Sequence, residues 1–141
     1  MANEPKMIDT NILVYAEQSN EQLKHDKAAK LIINLLNNNE GILSNQILAE
    51  LSSVLSGYGF DADRRNELIS TYAKALKTIN YSVEDVILAN VFSEETGTHF
   101  FDSLIAATMK RNNITTIITE NERDFSKFSW LKVENPFKRG N

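Results

Sequence analysis

Four carboxylates in this sequence occupy positions where an isolated charge is costly. Asp9 directly follows an apolar, strand-like stretch, and Asp124 comes shortly after the β-branched run Thr115–Thr119. Glu50 and Asp102 lie within predicted helices. Open α/β sheets bring the carboxyl ends of their parallel strands to one edge, where they bind ligands. The four acids therefore predict a site that gathers negative charge around a cation.

The two acids on helices lie on faces that turn toward the core. Glu50 shares its helical stripe with the apolar residues Ile47, Leu51 and Val54. Asp102 has apolar neighbours at positions i+3, i+4 and i+7, which are Ile105, Ala106 and Met109. Removing a carboxylate from water is expensive unless a cation or hydrogen bonds compensate for it. Both positions therefore require a partner.

The residue types present favour a hard metal ion as that cation. The chain contains no cysteine and only two histidines, His25 and His99, so a zinc site is not expected. Mg²⁺ and Mn²⁺ prefer oxygen ligands such as carboxylates. Such an ion would also relieve the repulsion that raises the pKa values of clustered acids.

Each acid also has a purely structural explanation, which the sequence leaves open. Asp9 and Asp102 are suited to capping the helices that begin beside them. Glu50 could pair with a basic side chain, and Asp124 could be a turn residue. A cation site explains all four acids by one cause, whereas the structural explanation needs a separate reason for each.

Alternating strands and helices supply the frame for these acids. Apolar spacing predicts a short helix after Asp9 and further helices over 22–38, 46–56, 62–76, 82–93 and 101–112. Strands are predicted before Asp9 and at 42–43, 79–81, 115–119 and 131–133, with a loop over 94–98. This alternation predicts an α/β protein with a parallel sheet and helices on both faces.

Length and composition predict one globular domain over residues 1–141, with residues 1–6 as a short N-terminal extension. Hydrophobic residues make up 42% of the chain and charged residues 24%, which is ordinary for a soluble domain. The sequence shows no transmembrane run and no signal peptide, which predicts a cytoplasmic protein without a membrane partner.

The charge is unevenly distributed along the chain. The net charge is −4, yet residues 110–141 hold 7 Lys or Arg against 4 Asp or Glu, while residues 1–109 hold 8 against 15. A basic C-terminal third is compatible with binding to a phosphate backbone. Ordinary solvated charge explains the same distribution equally well.

Four motifs resemble the PIN domain, named for the PilT N-terminus, and most closely the VapC-type toxins of toxin–antitoxin pairs. In chain order they are Ile8–Tyr15, Ser44–Leu51, Phe101–Ala107 and Ile118–Phe125. The resemblance extends over essentially the whole chain. It implies a three-layer α/β/α fold with a mostly parallel central sheet of four to five strands.

The resemblance also implies a metal-dependent endoribonuclease that hydrolyses RNA phosphodiester bonds with a metal-activated water. The catalytic and metal-binding acids would be Asp9, Glu50, Asp102 and Asp124, holding one or two Mg²⁺ or Mn²⁺ ions. Family members carry the fourth acid at the position of Asn121 or at that of Asp124, and the asparagine here assigns the role to Asp124. The supporting polar residues would be Thr10, Asn11, Ser44, Thr119 and Asn121.

Partners follow from the same resemblance. The implied partners are an RNA substrate, a cognate antitoxin protein and a second copy of the chain in a homodimer. Basic residues near two of the acidic motifs are expected to contact the RNA backbone, namely Lys110, Arg111, Arg123 and Lys127.

Competing interpretations fit the sequence less well. A haloacid-dehalogenase-like phosphatase needs a second aspartate two residues after the first, where this chain has Asn11. A receiver domain needs adjacent acids after its first strand, which Ile8-Asp9 does not provide. The stronger alternative is a non-catalytic PIN-like module that binds RNA or protein. Four mutually repelling carboxylates argue against it, because a scaffold has no use for them.

Overall fold

The computed structural model describes residues 4–138, within which five short strands alternate with seven helices. The strands are β1 (Lys6–Ile8), β2 (Gly41–Ser44), β3 (Lys77–Ile79), β4 (Thr116–Ile118) and β5 (Lys132–Glu134). The helices are α1 (Thr10–Glu17), α2 (Gln22–Asn37), α3 (Asn45–Gly57), α4 (Ala62–Ala75), α5 (Val83–Thr96), α6 (Phe100–Arg111) and α7 (Glu122–Phe125). Residues 1–3 of the predicted N-terminal extension lie outside the described part of the chain.

The strands form one parallel sheet in the order β3-β2-β1-β4-β5. The chain winds outward from β1 to β3 and then returns to place β4 on the other side of β1. The direction of winding therefore reverses beside β1, and the carboxyl ends of β1 and β4 flank the crevice where such sheets bind ligands. The predicted three-layer α/β/α architecture is confirmed.

The central strands are buried, as expected for a parallel sheet covered on both faces. Met7 and Ile8 of β1 and Ile117 of β4 have no solvent-exposed surface, and Ile118 is 2% exposed. Helices α1 and α3 pack buried residues into the same core, including Ile12, Leu13, Ile47, Leu51 and Leu55. Between residues 4 and 138, no helix combines the length and apolarity needed to cross a membrane.

Most predicted element ends lie within one or two residues of the observed ones. The predicted loop from Glu94 is wrong, because α5 continues to Thr96 and ends at Gly97, which adopts the left-handed conformation (φ 74°). The predicted third strand is displaced by two residues, since β3 covers Lys77–Ile79. The short helix α7 was not predicted.

An ion pair between a buried aspartate and a partly exposed arginine joins α5 to α6. Asp85 is 1% exposed, and its two carboxylate oxygens accept hydrogen bonds from Arg111 Nε (2.8 Å) and Nη2 (2.9 Å). Asp85 also completes a capping box with Ser82 at the start of α5. Burial acts to raise the pKa of Asp85, but the bonds from Arg111 and Ser82 outweigh it and hold this pKa below its usual range. The pair therefore stabilises the fold while Asp85 is ionised.

We expect Arg111→Ala to lower the free energy of unfolding by about 2–3 kcal/mol, since it leaves a buried carboxylate without its cation. The depressed pKa means that the wild-type contribution is present at neutral pH and lost as the pH falls through the acidic range. Urea unfolding at neutral and acidic pH measures both effects. Arg123→Ala, at an exposed position, is the matched control and should change stability by less than about 0.5 kcal/mol. Equal losses in the two variants would contradict a structural role for Arg111.

Candidate metal centre

Asp9 lies at the junction of β1 and α1 and is held there by hydrogen bonds from three residues. Oδ1 accepts from the backbone N–H of Thr10 (2.8 Å), so Asp9 caps α1. Oδ2 accepts from the Thr119 hydroxyl (2.6 Å) and from the side-chain amide of Asn11 (3.2 Å). The side chain is 6% exposed. The predicted capping role is therefore confirmed. Asp9 also lies at the crevice of the sheet, so capping does not prevent it from facing a ligand.

The pairing of β1 with β4 brings Thr119 to Asp9. Ile8 lies opposite Ile118, and the Asp9 N–H donates to the Ile118 carbonyl at 3.0 Å. The residues that follow each strand are consequently neighbours. Asn11 reinforces the junction, because its side-chain oxygen accepts from the backbone N–H of Glu120 at 3.2 Å.

Glu50 extends from α3 toward the same place. Its Oε1 accepts from the Thr10 hydroxyl (2.7 Å), and its Oε2 accepts from the side-chain amide of Gln46 (3.1 Å). No basic side chain among residues 4–138 forms an ion pair with Glu50. Within this part of the chain, the structure therefore does not support the explanation of Glu50 as half of a salt bridge.

Asp102 and Asp124 are joined through Asn121. The Asn121 amide donates to Asp102 Oδ2 at 3.3 Å and to Asp124 Oδ2 at 3.1 Å. Asp102 does not cap α6, because His99 occupies the N-cap position. Asp124 lies in the short helix α7 and is 3.7 Å from Lys127 Nζ. Asn121 thus orients both acids from the loop after β4.

Three of the four predicted acids line one cavity of about 520 Å³, namely Asp9, Glu50 and Asp102. Thr10, Asn11 and Asn121 line it too, whereas Asp124 lies behind Asn121. Thr119 is fully buried, so it supports Asp9 without lining the cavity itself. The structure therefore gathers the acids as predicted, with Asp124 in an outer position.

The pKa values show that this negative charge is poorly compensated. Burial raises the pKa of Asp9 to about 6, and repulsion from Asp102 and Glu50 adds to the rise, while the bonds from Thr119 and Thr10 oppose it. Burial and repulsion from Asp124 and Glu50 also raise the pKa of Asp102. A cation in the cavity would lower both pKa values.

The donor set fits a hydrated magnesium-type ion better than an ion enclosed by protein. No three acidic or histidine side chains among residues 4–138 converge closely enough to form a metal-binding group. Mg²⁺ commonly keeps several water ligands and takes only one or two carboxylates from the protein. Carboxylates spread around a cavity of this size are compatible with that mode of binding.

Two of the predicted supporting or RNA-binding residues have other roles in the structure. Ser44 is buried and caps α3, accepting a hydrogen bond from the Ile47 N–H at 3.2 Å. Arg111 donates to Asp85 and to the Asn80 carbonyl (2.7 Å), so part of its guanidinium is engaged within the fold, and its contact with RNA stays a prediction. Lys110 and Arg123 are exposed.

Two sets of hydrogen bonds near the site were not predicted from the sequence. Gln46 precedes Glu50 by four residues, and this i, i+4 spacing on a helix was the signal that could have identified it. The other is the contact of Lys24 and Tyr15 with Glu120, which joins α1 and α2 to the loop after β4. No local pattern in the sequence indicates that contact.

Comparisons with known proteins concern the family and the fold. The sequence model of the PIN domain matches residues 6–131. No curated protein matches the chain in sequence.

Among solved structures, the fold is similar to VapBC2 from Rickettsia felis bound to a promoter DNA fragment. The two chains are 24% identical, the match covers 92% of this chain and 97% of that chain, and the TM-score is 0.70. It is also similar to Mycobacterium tuberculosis VapC20, a sarcin–ricin-loop-cleaving toxin, with 17% identity, 92% and 99% covered and a TM-score of 0.72. VapBC-1 from nontypeable Haemophilus influenzae is 20% identical over 94% of this chain and 98% of that chain, with a TM-score of 0.68. Likeness at these identities establishes the fold.

We expect Mg²⁺ or Mn²⁺ to raise the melting temperature by about 5–10 °C at pH 8 and by much less at pH 5. The ion must displace the proton from Asp9, whose pKa is raised to about 6. Without metal, in EDTA, the raised pKa means that the folded state binds the Asp9 proton more tightly than the unfolded chain does. The free energy of unfolding should therefore fall as the pH rises from 3.8 to about 6. Thermal unfolding at a series of pH values measures both trends.

Asp9→Asn should abolish the metal-dependent rise, although asparagine still caps a helix. Asp63→Asn, at an exposed position on α4, is the matched control and should keep the full rise. A rise of the same size in Asp9→Asn, or a larger rise at pH 5 than at pH 8, would contradict a metal site at Asp9.

Proposed function

The chain belongs to the PIN domain family, and on that premise we propose that it is a Mg²⁺- or Mn²⁺-dependent endoribonuclease of the VapC toxin type. The observation that carries the proposal is the cavity lined by Asp9, Glu50 and Asp102 at the reversal point of the sheet. Two of these acids have raised pKa values, so the cavity favours a cation. One or two ions held by these acids, with Asp124 in support, would meet that need.

A divalent ion, when bound, makes an attacking water more acidic and stabilises the negative charge that develops at the phosphate. The chain supplies the positioning. Thr119, Asn11 and the Thr10 N–H fix both oxygens of Asp9. The Thr10 hydroxyl and Gln46 fix the two oxygens of Glu50. Carboxylates held in this way need little rearrangement when substrate arrives.

RNA is the proposed substrate because of the solved structures that share this fold. One of them is described as a toxin that cleaves the sarcin–ricin loop, and others are toxin–antitoxin complexes. We extend to this chain an RNA substrate, a cognate antitoxin, assembly as a homodimer and a cytoplasmic location. The exposed Lys110 and Arg123, together with Lys127 beside Asp124, are proposed to contact the phosphate backbone.

Asp9→Asn should lower the cleavage rate of a mixed pool of structured RNAs by more than about a hundredfold. The substitution keeps the cap on α1 but removes the negative charge that would bind the ion. Gel analysis of cleavage with Mg²⁺ or Mn²⁺ measures the effect, with EDTA as a second way to stop the reaction and Asp63→Asn as the control that keeps activity. Cleavage that survives both Asp9→Asn and EDTA would contradict the proposal. No cleavage and no metal-dependent rise in melting temperature would favour the non-catalytic binding module.

Asp124→Asn should lower the cleavage rate by only about 10–100-fold, which is less than the loss in Asp102→Asn. Asp124 does not line the cavity and reaches it through the amide of Asn121, whereas Asp102 lines it directly. Glu122→Gln on the same short helix is the matched control and should retain activity. Equal losses in Asp124→Asn and Asp102→Asn would instead place Asp124 among the groups that bind the ion directly.

A further inference from the structure

A second cavity, of about 420 Å³, borders the acidic one and shares Glu50 with it. Its walls come from α3, from the segment before α5 and from the start of α6. Two of its lining residues are aromatic, Tyr81 and Phe101, and three are uncharged and polar, Asn45, Gln46 and Ser53. The volume lies in the range of small-ligand sites.

The aromatic residues of this cavity are exposed, and each contacts a neighbouring part of the fold. Tyr81 is 43% exposed and Phe101 is 52% exposed. The Tyr81 backbone N–H donates to Asn45 Oδ1 at 3.1 Å, which ties this residue to α3. The Phe101 ring packs against Phe100 in an edge-to-face contact with centroids 5.2 Å apart. Exposed aromatic faces that are already positioned suit a flat ligand that stacks on them.

The polar groups of the cavity also have unused hydrogen-bonding capacity. The Gln46 amide nitrogen donates to Glu50 Oε2 and to the Phe101 carbonyl (2.8 Å), and these two acceptors fix which end of the amide is the nitrogen. Gln46 Oε1 accepts no hydrogen bond from residues 4–138 but has almost no accessible surface, so Asn45 and Ser53 carry the polar groups that a ligand can reach. Because Asn45 uses its oxygen to accept from Tyr81, its amide nitrogen remains the donor that it offers. Such a wall matches the mixed donors and acceptors on the edge of a nucleobase.

From this juxtaposition we propose that the cavity between Tyr81 and Phe101 is a subsite for one unpaired nucleobase of the RNA, next to the scissile phosphate. The proposal rests on the proposed ribonuclease function and deepens it. Glu50 belongs to both cavities, so a nucleotide with its phosphate in the acidic cavity has its base within reach of the aromatic rings. Unpaired bases are commonly recognised by stacking on aromatic side chains and by hydrogen bonds to their edges.

An RNA base fits this cavity because its faces are apolar and its edge is polar. Most of the wall is apolar, with two aromatic rings and the aliphatic Ala49 and Leu104, while Asn45, Gln46 and Ser53 add polar groups. A base uses both the ring faces and the polar groups, whereas an apolar side chain would leave the polar groups unpaired. A protein partner or a second copy of the chain at this face is the alternative that the experiment must separate.

The test measures binding of short single-stranded RNAs that carry one 2-aminopurine, whose fluorescence is quenched by stacking. The titration uses the Asp102→Asn protein with Mg²⁺, so that the RNA stays intact. Tyr81→Ala or Phe101→Ala in this background should weaken binding about tenfold and remove the quenching. Tyr81→Phe, which keeps the ring, should preserve both. The same RNA with an abasic nucleotide at the probe position should bind all of these proteins equally.

Three results would overturn the subsite. One is unchanged affinity and quenching in both alanine variants at an unchanged melting temperature. Another is a change of oligomeric state in light scattering without loss of quenching, which would make this face a contact between copies. The third is equal weakening for the abasic RNA, which would indicate a backbone contact. Metal-dependent cleavage by the wild-type protein is measured separately. Quenching without cleavage would support the subsite and refute the nuclease, while cleavage without quenching would refute the subsite alone.

Discussion

The parallel pairing of β1 with β4 is the constraint on which the site depends. With Ile8 opposite Ile118, the two strands end side by side, and the residues that follow them share one small volume. Asp9 then receives the Thr119 hydroxyl from the neighbouring strand and the Thr10 N–H from its own helix. A slip of one residue in this register would turn every side chain of β1 to the opposite face and separate Asp9 from Thr119. Core packing on both faces of the sheet opposes such a slip, so the burial that stabilises the fold also fixes the geometry of the acids.

At Asp9, the role of helix cap and the proposed role of metal ligand do not exclude each other. The carboxylate caps α1, and the partial positive charge at the start of this helix compensates for part of its burial. That compensation is incomplete, since the pKa remains raised. Glu120 is a useful contrast, because this nearby acid is paired with Lys24 and accepts a hydrogen bond from Tyr15 at 2.8 Å. The chain thus neutralises an acid that lies outside the cavity and leaves Asp9 and Asp102 inside it without a basic partner among residues 4–138.

Local sequence patterns predicted the fold and the inner acids because those features depend on local periodicity. The apolar stripe around Glu50 marked a helix face turned inward, and the β-branched run before Thr119 marked β4. The patterns failed where tertiary contacts decide the outcome. The pairing of Arg111 with Asp85, on the preceding helix, was not predicted, because no local signal in the sequence indicates it. The outer position of Asp124 could not be predicted either, because it depends on how α7 turns behind Asn121.

The amide of Gln46 connects the two cavities physically. It donates both to the Glu50 carboxylate and to the carbonyl of Phe101, the residue directly before Asp102. The ring proposed to stack a base and the acid proposed to face the phosphate are therefore consecutive on α6, and Gln46 ties the Phe101 backbone to α3. Binding energy from a correctly stacked base would act at the point where the acids must be aligned, so it could favour the transition state rather than binding alone. Recognition of the nucleotide and orientation of the acids would then both depend on the hydrogen bonds of Gln46 to Glu50 and to Phe101. A small domain would in this way combine selectivity with catalysis.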